Sequence, residues 1–193
     1  MNLYIKSHIR LSFKNMAEIS DYYRSLKIDY PKFYKMDGLS KLGIIASEML
    51  LKNKENSFIP CEDTAVICFN RSSSLEINTQ YYLTISDNKN YFPSPSLFVY
   101  TLPSIVTGEI AIRNNICGET SFYILKNFDS AQIIELAENA FFDKSTKQVL
   151  IAWIECFEGI KEVLMAIVTN DICDMTFTKE QLNEIYGNKN GRK

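Results

Sequence analysis

Residues 94–113 read SPSLFVYTLPSIVTGEIAIR, and this stretch decides how the surrounding chain folds. Three of the five prolines lie in it or directly before it: Pro93, Pro95 and Pro103. Because proline fixes the backbone and lacks an N–H donor, we expect no regular helix over residues 92–102. Pro103 suits the first turn of a helix, where a missing N–H costs nothing. The sequence therefore predicts an irregular entry followed by a helix.

The predicted helix has one apolar face and ends near residues 114–115. Its apolar face is formed by Ile105, Val106, Ile110 and Ala111. Glu109 and Arg113 are four residues apart, so they can form a supporting pair on one side of the helix. Gly108 costs about 1 kcal/mol relative to alanine inside a helix, so we expect another backbone to approach closely there. The simplest interpretation is a buried helix.

Three segments of the chain resemble one enzyme family. Residues 94–113 resemble the loop and helix in the N-terminal half of the β-ketoacyl-acyl carrier protein synthases, thiolase-like condensing enzymes that often read close to SPxLFxYTLPNxxxGEIAIR. Residues 35–43, KMDGLSKLG, resemble the family segment KMDxLSRLA. Residues 70–76, NRSSSLE, resemble the small-residue loop after the second strand of the family. The order and spacing of all three segments match, and the resemblance covers roughly residues 30–170.

The resemblance implies an α/β, thiolase-like half-fold with a mixed, mostly parallel five-stranded sheet and helices on both faces. Helices interspersed among apolar strands, with an antiparallel edge, favour the same class. A condensing enzyme contains two such halves, packed so that a helix from each lies between the two sheets. This chain has the length of one half. We expect a single β-ketoacyl synthase N-terminal-like domain over residues 1–186 and a disordered tail over residues 187–193.

Apolar periodicity places the first strand and two long helices. Residues 3–13 alternate, which predicts a half-buried strand with His8 on its polar face. We interpret His8 as a solvated strand residue rather than a catalytic base, because no second chemical group surrounds it in sequence. Apolar residues at helical spacing predict helices over residues 39–52 and 129–142.

A hairpin is predicted towards the end of the chain. Apolar runs over residues 147–154 and 162–169 are separated by a turn that contains Gly159. Under this interpretation, Glu155 and Glu158 lie in the turn and are solvated.

The resemblance also indicates where the family has its nucleophile, and this chain has none at that position. Condensing enzymes use a cysteine at the start of the helix after the third strand, where the helix N-terminus stabilises the thiolate. Matching that helix to residues 129–142 puts Phe128 at or beside the cysteine position, and phenylalanine cannot be acylated. Cys117 precedes the strand, and Ser130 would need a general base. His8 is the only histidine of the chain, so the two assisting groups, usually histidines, are also missing.

Two large side chains occupy positions where the condensing enzymes have glycines. The glycine pair of the condensing enzymes matches Trp153 and Ile154, which we expect to fill a volume that a catalytic pocket would need. We therefore predict no catalytic residue in this chain. The residues that could line a remaining pocket are Phe98, Tyr100, Phe128 and Ser130.

Composition excludes several other classes of function. A net charge of −2 gives no electrostatic case for binding nucleic acid or an anionic membrane. No apolar run reaches the roughly 20 residues that span a bilayer, and residues 1–13 lack a signal-peptide core, so we expect a cytoplasmic protein. The five cysteines include no CxxC pair, which favours reduced thiols. We expect no cofactor and no metal site.

Two main hypotheses of function remain. The first is a non-catalytic ketosynthase-like subunit in bacterial fatty acid or polyketide synthesis, as in aryl polyene or flexirubin-type pathways. The helix over residues 129–142 would then expose an apolar face, so we expect a homodimer or a complex with a full-length ketosynthase, with an acyl carrier protein as a further partner. The second is a 3-oxoacyl-acyl carrier protein synthase whose active site a partner chain completes. A weaker third hypothesis is an acyl-chain binding protein.

Overall fold

A computed structural model describes residues 2–51, 63–142 and 144–187. Its strands are β1 Tyr4–Ser12, β2 Thr64–Asn70, β3 Thr120–Ile124, β4 Gln148–Phe157, β5 Ile160–Thr169 and β6 Met175–Thr176. Its α-helices are α1 Met16–Ser25, α2 Gly38–Leu51, α3 Leu75–Leu83, α4 Pro95–Val99, α5 Ile105–Asn114, α6 Ser130–Ala140 and α7 Lys179–Gly187, with a 3-10 helix at Pro31–Lys35. Of the tail predicted over residues 187–193, Gly187 belongs to α7, and residues 188–193 lie outside the described part.

The strands form one mixed sheet in the order β3-β2-β4-β5-β1-β6. The strand β2 pairs in parallel with β3 and β4, whereas β5 is antiparallel to both β4 and β1. Four strands, β1 to β4, thus run in the same direction, and β5 and β6 run the opposite way. The predicted α/β class with a mostly parallel sheet is confirmed. The described sheet has six strands rather than five because Met175–Thr176 pairs with the start of β1.

Helices cover both faces of the sheet and divide the core into two layers. Helices α1, α2 and α5 pack with the inward residues of β4 and β5 on one face. Helices α6 and α7 cover the other face. Every residue of β2 is buried, as expected for a strand that is covered on both sides.

The first strand contains a β-bulge that the alternation hides. Ile5 is opposite Val168, but Ser7 is opposite Ile167, so Lys6 is an extra residue. One extra residue exchanges the two faces of the sheet for the side chains that follow it. Leu3 and Ile5, before the bulge, therefore pack with α7, whereas Ile9, after it, packs with α2. The prediction of one continuous apolar face was therefore wrong.

The proline-rich entry also differs from the prediction. A five-residue helix, α4, occupies part of the segment expected to lack helix, because Pro95 stands in its first turn and Ser94 caps it. The long helix that follows is confirmed as α5 and ends at Asn115 in the left-handed conformation. Nothing lies within 4 Å of a Cβ built on Gly108, so the expected close backbone approach is absent among the described residues.

Candidate functional site

The carboxyl ends of three parallel strands bring the candidate residues together. In this part of the sheet, Asn70 at the end of β2 is level with Ile124 at the end of β3, and β4 continues beyond both. Open α/β sheets bind ligands at this edge, where the loops leave the strands. The loop after β3 leads through Phe128 directly into α6.

Asp129 fixes the start of α6 and thereby the position of Phe128. Its Oδ1 accepts hydrogen bonds from the backbone N–H groups of Ala131 at 2.9 Å and Gln132 at 3.2 Å. In a full capping box, Gln132 would bond the backbone of Asp129. Here its Nε2 instead donates to Asp129 Oδ2 at 3.2 Å.

Phe128 lies in an aromatic cluster rather than in an open catalytic position. Its ring stacks on that of Tyr186 from α7, with the ring centroids 3.8 Å apart and an interplanar angle of 2°. Trp153 of β4 meets Phe128 edge-on at 5.5 Å. These three rings line a cavity of about 240 Å³. The cluster joins the loop after β3 to the central strand and the last helix.

The lining of this aromatic cavity includes a carboxyl group, that of Glu155, whose predicted position was wrong. Glu155 was expected in a solvated turn, but β4 continues to Phe157, and Glu155 is only 3% exposed. Its Oε2 accepts a hydrogen bond from the backbone N–H of Arg71 at 3.0 Å. Its Oε1 and the indole Nε1 of Trp153 have no hydrogen-bond partner among the described residues. The turn itself consists of Glu158 and Gly159, both with positive φ.

A second carboxyl group of the cavity is neutralised by the protein itself. Glu162 of β5 is directly opposite Glu155 in the sheet. Arg10, buried in β1, donates to Glu162 Oε2 at 2.7 Å and lies 5.0 Å from the centroid of the Tyr186 ring. The hydroxyl of Tyr186 donates to Glu162 Oε1 at 3.4 Å, and burial, followed by the Glu162 charge, raises the pKa of Tyr186.

A second cavity, of about 280 Å³, lies near the start of α2 and includes Tyr100. The Cys156 thiol donates to Glu76 Oε2 at 2.8 Å, and burial raises the pKa of that thiol. Burial also raises the pKa of Asp37 and lowers that of Lys41. This cavity, lined by both polar and apolar side chains, is on the α2 side of β4, away from the aromatic cluster.

The four residues predicted to line one pocket are separated in the structure. Tyr100 lines the second cavity, its hydroxyl donates to Glu109 at 3.4 Å, and burial raises its pKa to about 12. Phe128 lines the aromatic cavity. Phe98 is 57% exposed on α4. Ser130 is buried in the first turn of α6 and lines neither of these two cavities.

Other residues singled out in the sequence have clear positions. The prediction that His8 is solvated was wrong, because its side chain is only 6% exposed. After the bulge, His8 is opposite Ala166, on the sheet face that α7 covers. Cys117 is exposed before β3. Trp153 and Ile154 are both buried, on opposite faces of β4. The sequence did not show that one set of residues lies together: Arg10, Glu155, Glu162 and Tyr186. Their proximity depends on strand register, which only a hairpin with β4 ending at Phe157 would have indicated.

The described part of the chain contains neither a cluster of metal ligands nor a helix that could span a membrane. Among residues 2–51, 63–142 and 144–187, no group of three potential metal ligands is close enough to hold an ion. No helix in the described part of the chain is long and apolar enough to cross a membrane.

Known proteins resemble the chain in shape rather than in sequence. No family model and no curated protein matches it. The structure of the ishigamide ketosynthase/chain length factor matches with a TM-score of 0.73 and 14% identity, over 91% of this chain and 64% of that chain. A ketosynthase in complex with its chain length factor, from Xenorhabdus doucetiae, matches with a TM-score of 0.65 and 13% identity, over 97% of this chain and 91% of that chain. The chain has the thiolase-like condensing-enzyme fold.

A third thiolase-like structure contains an acyl carrier protein. It is a type II polyketide synthase acyl carrier protein in complex with its ketosynthase bound to the hexaketide, with a TM-score of 0.60 and 12% identity over 95% of this chain and 64% of that chain. The present chain therefore spans about two thirds of the matched chain in two of these three structures. The fold inferred from three short segments of sequence is confirmed.

Proposed function

We propose that the chain is a non-catalytic ketosynthase-like subunit that pairs with a full-length ketosynthase in bacterial polyketide or fatty acid assembly. The observation that carries this proposal is the position of Phe128. It stands between β3 and α6, where the sequence resemblance places the nucleophile, and its ring is stacked on Tyr186. A benzyl side chain has no lone pair with which to attack a thioester. The pathway we favour is of the aryl polyene or flexirubin type.

Within residues 2–51, 63–142 and 144–187, neither Cys117 nor Ser130 replaces the nucleophile. Cys117 is exposed and precedes the start of β3, whereas α6 follows the end of that strand. Ser130 would need a general base. His8, the only histidine of the chain, is in β1 opposite Ala166 of β5, and the two strands β4 and β5 separate β1 from β2.

The surface that we propose for the partner differs from the one first expected. The apolar residues Ile133, Ala137 and Ala140 of α6 are buried with α7 rather than exposed. The larger exposed apolar set lies on α3, on α4 and in the segments that flank them: Leu75, Tyr82, Leu83, Phe92, Phe98, Val99 and Leu102. The rings of Tyr81 on α3 and Phe98 on α4 are in contact, with their centroids 5.5 Å apart, which brings the two exposed segments together, and clustered apolar surface marks protein interfaces. We call this set the α3–α4 surface.

Two measurements test the proposal. The purified chain is incubated with acyl- and malonyl-loaded acyl carrier protein, and we expect no condensation product from the wild type or from Phe128→Cys. Product from either chain alone would contradict the non-catalytic role. Light scattering of the chain with a ketosynthase from the same organism should then give the mass of a one-to-one complex. A chain that forms only homodimers or monomers in that mixture would contradict the pairing.

A second candidate function, binding of an acyl chain, is favoured by the cavity at Tyr100. Apolar side chains of Met16, Leu39, Ile77 and Leu97 line one part of it. Native mass spectrometry of the purified chain tests this candidate, because a bound acyl group would add its own mass. An acyl carrier protein is the partner that would deliver such a group.

A further inference from the structure

The cavity near the start of α2 holds a thiol and a carboxylate in direct contact. Cys156, near the end of β4, donates from Sγ to Glu76 Oε2 at 2.8 Å. Glu76 is in the first turn of α3, and both residues line the cavity of about 280 Å³. A thiol and a base within hydrogen-bond reach of each other are the usual arrangement of a sulfur nucleophile. This pair is on the α2 side of the sheet, whereas Phe128 is on the opposite side.

The position of Cys156 differs from that of the other cysteines that the structure describes. Cys68 is completely buried in β2 and lines neither of the two cavities. Cys117 is exposed, and its thiol lies 3.8 Å from the carbonyl oxygen of Asn115. Cys173 is half-buried and also lines neither cavity. Cys156 thus combines shelter from bulk water with a carboxylate partner and with space beside the sulfur.

The backbone at the start of α2 leaves room for this thiol. A Cβ built on Gly38 would overlap Sγ of Cys156, so the sulfur fits because residue 38 has no side chain. The N-terminal end of a helix carries a partial positive charge. Lys41, in the same helix, lines the cavity and adds a full positive charge. Both charges favour the oxyanion that forms when a sulfur atom attacks a carbonyl group.

The resting form of Cys156 is the neutral thiol, so an attack by its sulfur requires a base. Burial, followed by the hydrogen bond and the charge of Glu76, raises the pKa of this thiol. The carboxyl of Asp37, also in the lining, accepts hydrogen bonds from the backbone of α2. Glu76 is the carboxylate that contacts the thiol, and it can take the proton during the attack.

One wall of the cavity is apolar and suits an alkyl chain. It is formed by Met16, Leu39, Ile77 and Leu97. The volume of about 280 Å³ equals that of roughly nine liquid waters at about 30 Å³ each, which is enough for a short acyl group. An acyl group has the electrophilic carbon that a thiol attacks and the apolar tail that this wall would cover.

We propose that Cys156 is an acylation site that accepts the acyl group of a thioester, with Glu76 as its general base. Sγ of Cys156 forms a bond to the carbonyl carbon, and the bond between that carbon and the sulfur of the donor breaks. The thiol proton passes to Glu76 and then to the departing thiolate. No carbon–carbon bond forms, so the step is not a condensation. The proposal rests on the acyl-binding candidate for the same cavity and not on pairing with a ketosynthase.

The mass of the denatured chain tests the covalent bond. The chain is incubated with S-hexanoyl-N-acetylcysteamine, denatured in acid and weighed by mass spectrometry, and peptide digestion locates the adduct. We expect one hexanoyl group, formed on Cys156 at least tenfold faster than on the exposed Cys117. An unmodified mass, or faster reaction at Cys117, would overturn the proposal. If native spectra then still show the bound probe, the acyl-binding candidate stands without the covalent step.

Two pairs of variants separate the site from general thiol reactivity. Cys156→Ala should lose the adduct, whereas Cys117→Ala should keep it. Glu76→Gln keeps the size of the side chain and an oxygen for the thiol but cannot accept its proton, so we expect acylation at least tenfold slower. Glu135→Gln removes the same charge from an exposed position of α6 and should react like the wild type. Equal rates in the two glutamine variants would contradict the role of Glu76. Thermal unfolding verifies that each variant is folded.

The natural donor is identified by comparing two hexanoyl thioesters, one on an acyl carrier protein and one on coenzyme A. Faster transfer from the carrier protein would identify a protein-bound donor. Transfer from coenzyme A at an equal or higher rate would identify a free donor. Transfer from neither would overturn the proposal even if the small probe reacts, because no biological thioester would then reach Cys156.

Discussion

At the residue scale, the polar contacts of α5 are long-range rather than local. Glu109 and Arg113 are spaced to pair with each other, yet each has a partner from a distant element. Lys32 Nζ lies 2.7 Å from Glu109, and Arg113 Nε lies 2.5 Å from Glu48. Tyr30 adds its ring to the second contact, 4.5 Å from the Arg113 guanidinium. Spacing on one helix cannot predict such pairs, because they depend on which helices become neighbours.

The first prediction concerns the ion pair between Arg113 and Glu48. The Glu48 side chain is fully buried, so Arg113→Met would leave its carboxylate in the core without a counter-charge. We expect a loss of about 3–5 kcal/mol in the free energy of unfolding, measured with urea. The double variant Arg113→Met/Glu48→Leu should recover most of that loss. A double variant less stable than the single one would contradict this explanation.

The second prediction concerns the pH dependence caused by Asp37. Burial raises its pKa above the usual 3.8, so the folded chain retains this proton at pH values where the unfolded chain has lost it. The contribution of Asp37 to stability is therefore greatest below pH 3.8 and decreases as the pH rises through the folded pKa. Asn can still cap α2 but cannot ionise.

Asp37→Asn should thus gain stability relative to the wild type as the pH rises from 3.5 towards neutrality. Urea unfolding of both chains across this range measures the difference. Asp87→Asn is the matched control. Hydrogen bonds from Lys89 and Asn90 lower the pKa of Asp87, so that variant should lose relative stability over the same range. The same trend in both variants would refute the assignment to burial of Asp37.

At the element scale, helix α2 was predicted well because its pattern is local. It begins at Gly38, one residue before the predicted start at Leu39. Strand β1 and the β4–β5 hairpin were predicted less well. A bulge at Lys6 is invisible to a period of two, and β4 continues through the charged residue Glu155 to Phe157, which the apolar pattern excludes. The candidate site depends on the register after the bulge and on this extension of β4, so most of it could not be predicted.

The third prediction concerns the contact between α2 and α5. A Cβ on Gly43 would lie 2.7 Å from Val106 Cγ2 and 3.1 Å from Ile110 Cδ1. Gly43→Ala should therefore separate the two helices and reduce stability by about 1–3 kcal/mol. Gly108→Ala is the control in the partner helix. Its Cβ meets nothing within 4 Å, so it should gain about 0.5–1 kcal/mol from helix propensity. Equal effects of the two substitutions would be inconsistent with this packing.

At the scale of the whole molecule, the fold was predictable and the packing of the last helix was not. Three segments indicated the thiolase-like arrangement, and the similarity in shape to solved structures with that fold confirms it. The apolar face of α6 was predicted to be exposed, because no pattern in the sequence indicates that α7 packs against it. The contact joins Leu182 and Ile185 to the core around Ile133.

The fourth prediction concerns the α3–α4 surface. Leu83 and Phe98 are both more than half exposed, so a charge at either position leaves the core intact. If a ketosynthase covers this surface, Leu83→Glu/Phe98→Glu should weaken the complex at least tenfold, measured by calorimetry. Ile172→Glu introduces the same charge at a residue that is 88% exposed elsewhere, and should bind like the wild type. Loss of binding in the control alone would place the interface elsewhere.

The position of β1 has a consequence for how the chain folds as it is made. Its central partner, β5, ends at Thr169, whereas β1 itself ends at Ser12. At about 5–20 residues per second, synthesis of the intervening chain takes on the order of 10–30 s. During that interval the first strand has no native neighbour, and its apolar side chains are accessible to chaperones and to other nascent chains. β1 can therefore join the sheet only after β5 has been made, and it then lies between β5 and β6.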